Sequence, residues 1–141
     1  MKNLFLSLIA ATMFMVACNS NGNNVADNGS ASSASTDKPV MKFEKETHDF
    51  GKIVTGSKVT YEFKFTNNGK SPLIIKDAIA SCGCTKPEWP SAPIKPGENG
   101  AVKVTFDSRG KMGLQDKMIT ITANTNPAQN VVHLIGEVTA N

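Results

Sequence analysis

From Val59 to Thr66 the chain alternates without a break: Val59, Tyr61, Phe63 and Phe65 are apolar or aromatic, while Thr60, Glu62, Lys64 and Thr66 are polar. Successive side chains of a strand point to opposite faces, so this period of two predicts a half-buried β-strand with the aromatic residues inward. Asn67-Asn68-Gly69 follows, residue types that tolerate the positive φ of a tight turn, and Pro72 then leads into Leu73 to Ala80. The alternation returns at Val102, Val104 and Phe106 after the Lys95-Pro96-Gly97 turn, and again at Ile119 and Ile121. Beyond Asn126-Pro127, the residues Val132, Leu134, Gly136 and Val138 share one face, opposite His133, Ile135 and Glu137. Gly136 inside such a run marks a bulge or a close backbone approach. No segment after Met41 carries a helical period. Short strands at regular spacing with turn residues between them predict an all-β, Ig-like antiparallel β-sandwich of about seven strands. A small barrel is the alternative that the same periodicity allows.

The pattern is different before residue 41. Lys2 precedes an uncharged, mostly apolar run from Leu4 to Val16, long enough for the core of a signal peptide and too short to span a bilayer as a helix. Met15-Val16-Ala17-Cys18 then resembles the lipobox of bacterial lipoproteins, with Met where Leu is usual. That resemblance implies a signal peptide over 1–17, cleavage before Cys18, and lipidation of the Cys18 thiol with acyl chains such as palmitate. Asn19 to Pro39 is rich in Asn, Ser, Gly and Ala and has no aromatic residue, too little apolar surface to offset the entropy of ordering. Residues 18–40 therefore read as a lipidated cysteine followed by a disordered tether, with an r.m.s. span of ~25 Å as a flexible coil. Asn19 after the cysteine resembles lipoproteins released to the outer membrane. The expected location is the cell envelope, at the outer membrane facing the periplasm, with the membrane engaged through the lipid anchor.

Residues 41–141 leave room for one domain and no second core. The net charge of +3 includes Lys2, and the lysines of the domain are interspersed with Asp and Glu, so no basic stripe points to nucleic acid. There are three cysteines. If Cys18 is lipidated, Cys82 and Cys84 remain as a pair.

Asp49-Phe50-Gly51-Lys52-Ile53, Phe65-Thr66-Asn67-Asn68-Gly69 before Pro72-Leu73, Ser81-Cys82-Gly83-Cys84-Thr85, Ile94-Lys95-Pro96-Gly97 and the late Gly136 together resemble domain-of-unknown-function family 1573. That family is similar to the Ig-like modules of the ASH and Hydin type, related in fold to the major sperm protein and pilus-chaperone sandwiches. The resemblance implies a fold and an envelope location. It implies no biochemical activity.

Cys82-Gly83-Cys84 is the one arrangement suited to chemistry, because Gly83 lets the chain bend two thiols together. A disulfide across one residue closes a small ring, which favours an oxidising, redox-active pair. Two thiolates also suit Cu(I), with Met112 and Met118 as possible thioether ligands. The third use is structural, a staple or packed corner beside Trp89. Zinc is disfavoured for want of a second Cys pair or a spaced His pair. His48 and His133 are isolated and suggest no dyad; no G-x-S-x-G elbow is present, so hydrolysis is not expected. Asp49-Phe50-Gly51 spells a kinase magnesium motif without the rest of a kinase, and reads instead as Phe50 plugging the core with Gly51 at a turn. Arg109 and Lys111, with Gly110 and Gly113, form a basic loop that is expected to be solvated, anion binding being the alternative. Trp89, between Pro87 and Pro90, either caps the core or contacts a partner.

The function these features favour is a non-enzymatic, lipid-anchored Ig-like binding or scaffolding module, engaging an envelope protein or a polymer through loops or a sheet edge, with no resident cofactor. The alternative is thiol-redox or Cu(I) handling at Cys82 and Cys84.

Overall fold

A computed structural model describes residues 37 to 140. The signal segment, Cys18 and the tether as far as residue 36 lie outside the described residues. The described chain forms eight strands: β1 (Met41–Phe43), β2 (Thr47–Val54), β3 (Lys58–Asn67), β4 (Ile75–Ala80), β5 (Thr85–Glu88), β6 (Asn99–Asp107), β7 (Gly113–Ala123) and β8 (Gln129–Thr139). They build two four-stranded sheets, ordered β1-β3-β6-β5 and β2-β8-β7-β4. The architecture is the Ig-like sandwich that the alternation predicts, not a closed barrel.

The core is the sum of the inward faces. Phe63, Val102, Val104 and Phe106 from the first sheet and Ile119, Ile121, Val132 and Leu134 from the second are all 0% exposed. Each such side chain contributes about 1.5–3 kcal/mol by leaving water, so these two rows dominate the stability of the fold. Their polar neighbours Glu62, Lys64 and Lys103 point outward, as the period of two requires.

Two features differ from the expected seven-strand antiparallel arrangement. The short edge strands β1 and β5, of 3 and 4 residues, are too brief to carry a period. In addition, β2 pairs parallel with β8. Period-two patterning reports which way a side chain points and not which way the neighbouring strand runs, so a parallel pair joining distant parts of the chain leaves no local trace.

The β2–β8 register shifts between Asp49 and Lys52, which places Phe50 and Gly51 opposite Gly136. This is a bulge, not the turn expected at Gly51, and Gly51 takes the positive φ of 72° that it needs. The bulge turns Phe50 toward the core, 5.7 Å from the Phe106 ring. A Cβ at position 136 would overlap the Phe50 ring, so the glycine in β8 marks a close approach by a side chain.

Asn67 closes the opposite end of the sandwich. It is 0% exposed, donates through Nδ2 to the carbonyls of Ser71 (2.8 Å) and Ile94 (3.0 Å), and accepts through Oδ1 from the amides of Val40 and Gly69. Pro39 is buried in the same region, so packing on the domain begins before the expected boundary at residue 41.

Candidate functional site

Ser81-Cys82-Gly83-Cys84 is the turn by which the chain leaves β4, at the edge of one sheet, and enters β5, at the edge of the other. It is pinned on both sides: the Ser81 amide donates to the Met118 carbonyl (2.9 Å), the Asp107 amide to the Cys84 carbonyl (2.9 Å), and the Thr85 amide to the Cys82 carbonyl (3.2 Å). Cys82 and Cys84 are joined in a disulfide, with their Cα atoms 5.3 Å apart. Both are half-buried, and Cys84 packs against the core. Thr85, the first residue of β5, points inward and is 5% exposed, with its hydroxyl 3.6 Å from Cys82 Sγ and 3.9 Å from Cys84 Sγ.

An open groove of about 340 Å³ runs beside Cys84, lined by Lys58, Gly83, Lys86, Thr105, Asp107 and Arg109 as well as Cys84 itself. The register explains the grouping. Lys58 of β3 pairs with Asp107 of β6, which bonds Cys84, and one step along Thr60, Thr105 and Lys86 align across the same strands. Arg109 forks onto Asp107, with Nη2 at 2.7 Å from Oδ2 and Nε at 3.1 and 3.0 Å from the two oxygens. Those bonds, together with Lys58 nearby, hold the Asp107 carboxyl below its ordinary range and push the guanidinium the other way. Lys58 also approaches Asp107 (3.9 Å), while Lys86 and Lys103 share Glu88 at 3.3 and 3.8 Å. In the groove itself three cations, Lys58, Lys86 and Arg109, thus face one carboxylate, Asp107, and the groove is positive.

The other candidate residues are dispersed. Trp89 is half-buried against the core, the capping position. Met118 adjoins the disulfide turn through its backbone, but its side chain stands on an outer sheet face, and Met112 lies 59% exposed before β7. Cu(I) would require the two sulfurs as thiolates, whereas here they are bonded to each other. Among the described residues no group of three His, Cys, Asp or Glu side chains is arranged to hold a metal. His48 stacks on Tyr61 at 3.6 Å between ring centroids, and burial followed by repulsion from Lys45 lowers its pKa. His133 lies on the outward face with Nδ1 2.9 Å from Asp116 Oδ1, so the two histidines do not meet. Lys111 stays apart from the groove that Arg109 helps to line. Sequence reasoning missed Lys58, Lys86, Thr85 and Asp107. Only Thr85, directly after the second cysteine, had a local signal.

The two packed sheets define an Ig-like β-sandwich, and solved structures share that fold. A domain of human CEP192 described as ASH / PapD-like aligns with a TM-score of 0.56 at 11% identity, over 74% of this chain and 88% of that domain. A protein of unknown function from Porphyromonas gingivalis W83 aligns with a TM-score of 0.63 at 18% identity, over 72% of this chain and 47% of the other. The secreted serine protease VesC of Vibrio cholerae aligns with a TM-score of 0.55 at 12% identity, over 70% of this chain and 23% of the protease. The chain therefore spans about half, or less, of those two bacterial proteins. The sequence itself matches no curated protein. It belongs to the family described as protein of unknown function (DUF1573), whose pattern matches residues 41–138.

Proposed function

We propose that this chain is a lipid-anchored, non-enzymatic binding module of the cell envelope, tethered through Cys18 at the outer membrane and presenting a sheet face to another envelope protein or a surface polymer. The observation that carries the reading is the outer face of the β2-β8-β7-β4 sheet. Ile79 of β4 and Val131 of β8 both lie opposite Thr120 of β7, and Met118 is two residues from Thr120 on the same strand. Ile79 is 63%, Met118 43% and Val131 37% exposed. Clustered apolar side chains on an outer face lose free energy in water, and covering them with a partner recovers it. The sheet face takes the role expected of loops or an edge, and Trp89 is left to the core. The anchor is supported by the signal-like run, Ala17 before Cys18 and the polar segment beyond it.

The test places a photoreactive residue at 79 or 118, and at 103 on the opposite sheet, in cells that carry the lipidated chain. One discrete adduct from 79 and 118 and none from 103 is the expected result. Equal labelling from both faces rejects the docking face. A mature chain recovered soluble, with an unmodified Cys18 by intact mass, rejects the anchor.

A further inference from the structure

We propose that the Cys82–Cys84 disulfide is a thiol-exchange site for a small, carboxylate-bearing thiol, which enters the groove lined by Lys58, Lys86 and Arg109, attacks Cys84, and releases Cys82 to the Thr85 hydroxyl. This activity lies beyond the binding reading and uses a groove lined by strands of the other sheet.

Three observations converge on it. First, both cysteines are half-buried, but only Cys84 lines the groove. Second, the groove is positive, with Lys58, Lys86 and Arg109 extending side chains that are 65, 78 and 77% exposed. Its volume of about 340 Å³ suits a small ligand. Third, the Thr85 hydroxyl is buried, and its hydrogen-bond partners among the described residues are the two sulfurs alone. A disulfide sulfur accepts hydrogen bonds weakly, whereas a thiolate accepts a strong, charge-assisted one. A buried hydroxyl confined to two sulfurs is therefore better matched to the reduced state of the pair than to the oxidised one. The shorter distance, 3.6 Å, is to Cys82, the cysteine that does not line the groove.

The exchange balances as follows. A thiolate attacks Cys84 Sγ, forming a bond from its own sulfur to Cys84 while the Cys82–Cys84 bond breaks. The electron pair of that bond leaves on Cys82 Sγ, where Thr85 Oγ1–H donates to it. A second thiolate attacks the external sulfur of the mixed disulfide and releases Cys84 as a thiolate, which the cations of the groove stabilise as a leaving group. Two small thiols are oxidised to one disulfide, and the protein disulfide is reduced by the same two electrons.

The full chain, purified in detergent, is reduced with glutathione, which is anionic, and separately with cysteamine, which is cationic. Products are quenched with iodoacetamide and sequenced by mass spectrometry. Per thiolate, glutathione should react faster by ~10-fold at low salt, and the difference should shrink as salt screens the groove. The transient adduct should sit on Cys84, with Cys82 alkylated. A Lys58→Gln, Lys86→Gln double variant should bring the two rates together. Thr85→Val should slow both thiols by ~10-fold and move alkylation of reduced Cys82 to higher pH, and Thr85→Ser should restore both. Equal rates per thiolate in the wild type, an adduct on Cys82, or an alkylation profile indifferent to Thr85→Val would each overturn the proposal. Should Thr85→Val fail to fold, the surface lysine pair and the adduct position still decide it.

Discussion

The two sheets share one core but meet solvent in different ways. The outer face of β1-β3-β6-β5 is a lattice of charges: Glu62 lies opposite Lys103, Lys103 reaches Glu88 at 3.8 Å, and Lys58 reaches Asp107 at 3.9 Å. The outer face of β2-β8-β7-β4 instead exposes Ile79, Met118 and Val131 around Thr120 and, further along β7, Leu114 at 86%. Surface ion pairs contribute little stability, so the charged face is best understood as solvated surface that also shapes the groove at Cys84. Exposed apolar side chains add nothing to folding either. Folding thus explains the inner faces, and the contrast between the outer faces has to be explained by what each one meets.

The largest effects should come from the inner faces and be equal in kind on both sheets. Phe63→Ala in β3 and Leu134→Ala in β8 each remove a side chain that is 0% exposed, and each should cost ~2–5 kcal/mol in denaturant unfolding. A tolerant result on one sheet alone would break the single-core picture. Next in size is Asn67→Ala, which deprives the carbonyls of Ser71 and Ile94 and the amides of Val40 and Gly69 of their partner and should cost ~1–3 kcal/mol.

Outer-face substitutions should separate stability from binding. Ile79→Lys and Lys103→Ala should each change unfolding free energy by less than about 0.5 kcal/mol, yet only Ile79→Lys should abolish the photoadduct formed at position 118. Loss of the adduct in both variants would erase the difference between the faces.

The smallest effect concerns His48 of the edge strand β2, stacked on Tyr61 of β3 in the other sheet. Burial and Lys45 lower its pKa from the ordinary 6.5, so the unfolded chain takes up the proton more readily than the folded one. Its contribution is therefore full above pH 6.5 and is lost as pH falls through the lower folded value. Thermal unfolding followed from pH 8 to pH 5 should show this slope, and His48→Phe should flatten it.

The strands with a sustained period were legible from the amino acids alone. Val59 to Phe65, Val102 to Phe106, Ile119 to Ile121 and Val132 to Val138 alternate so that one face is buried, and the core and the all-β class followed, while sandwich against barrel was decided by how the strands pair. Cys82-Gly83-Cys84 could be singled out as well, because the two thiols lie within three adjacent residues, but disulfide, dithiol and metal-ligand readings stayed open in the sequence. What sequence could not reveal is what arises between strands. The parallel direction of β2 against β8, the Phe50 ring resting on Gly136, and the placing of Lys58, Lys86 and Arg109 around Cys84 all depend on register between segments far apart in the chain. Periodicity is a local property, set by the geometry of one strand. A groove is decided only when several strands are laid side by side.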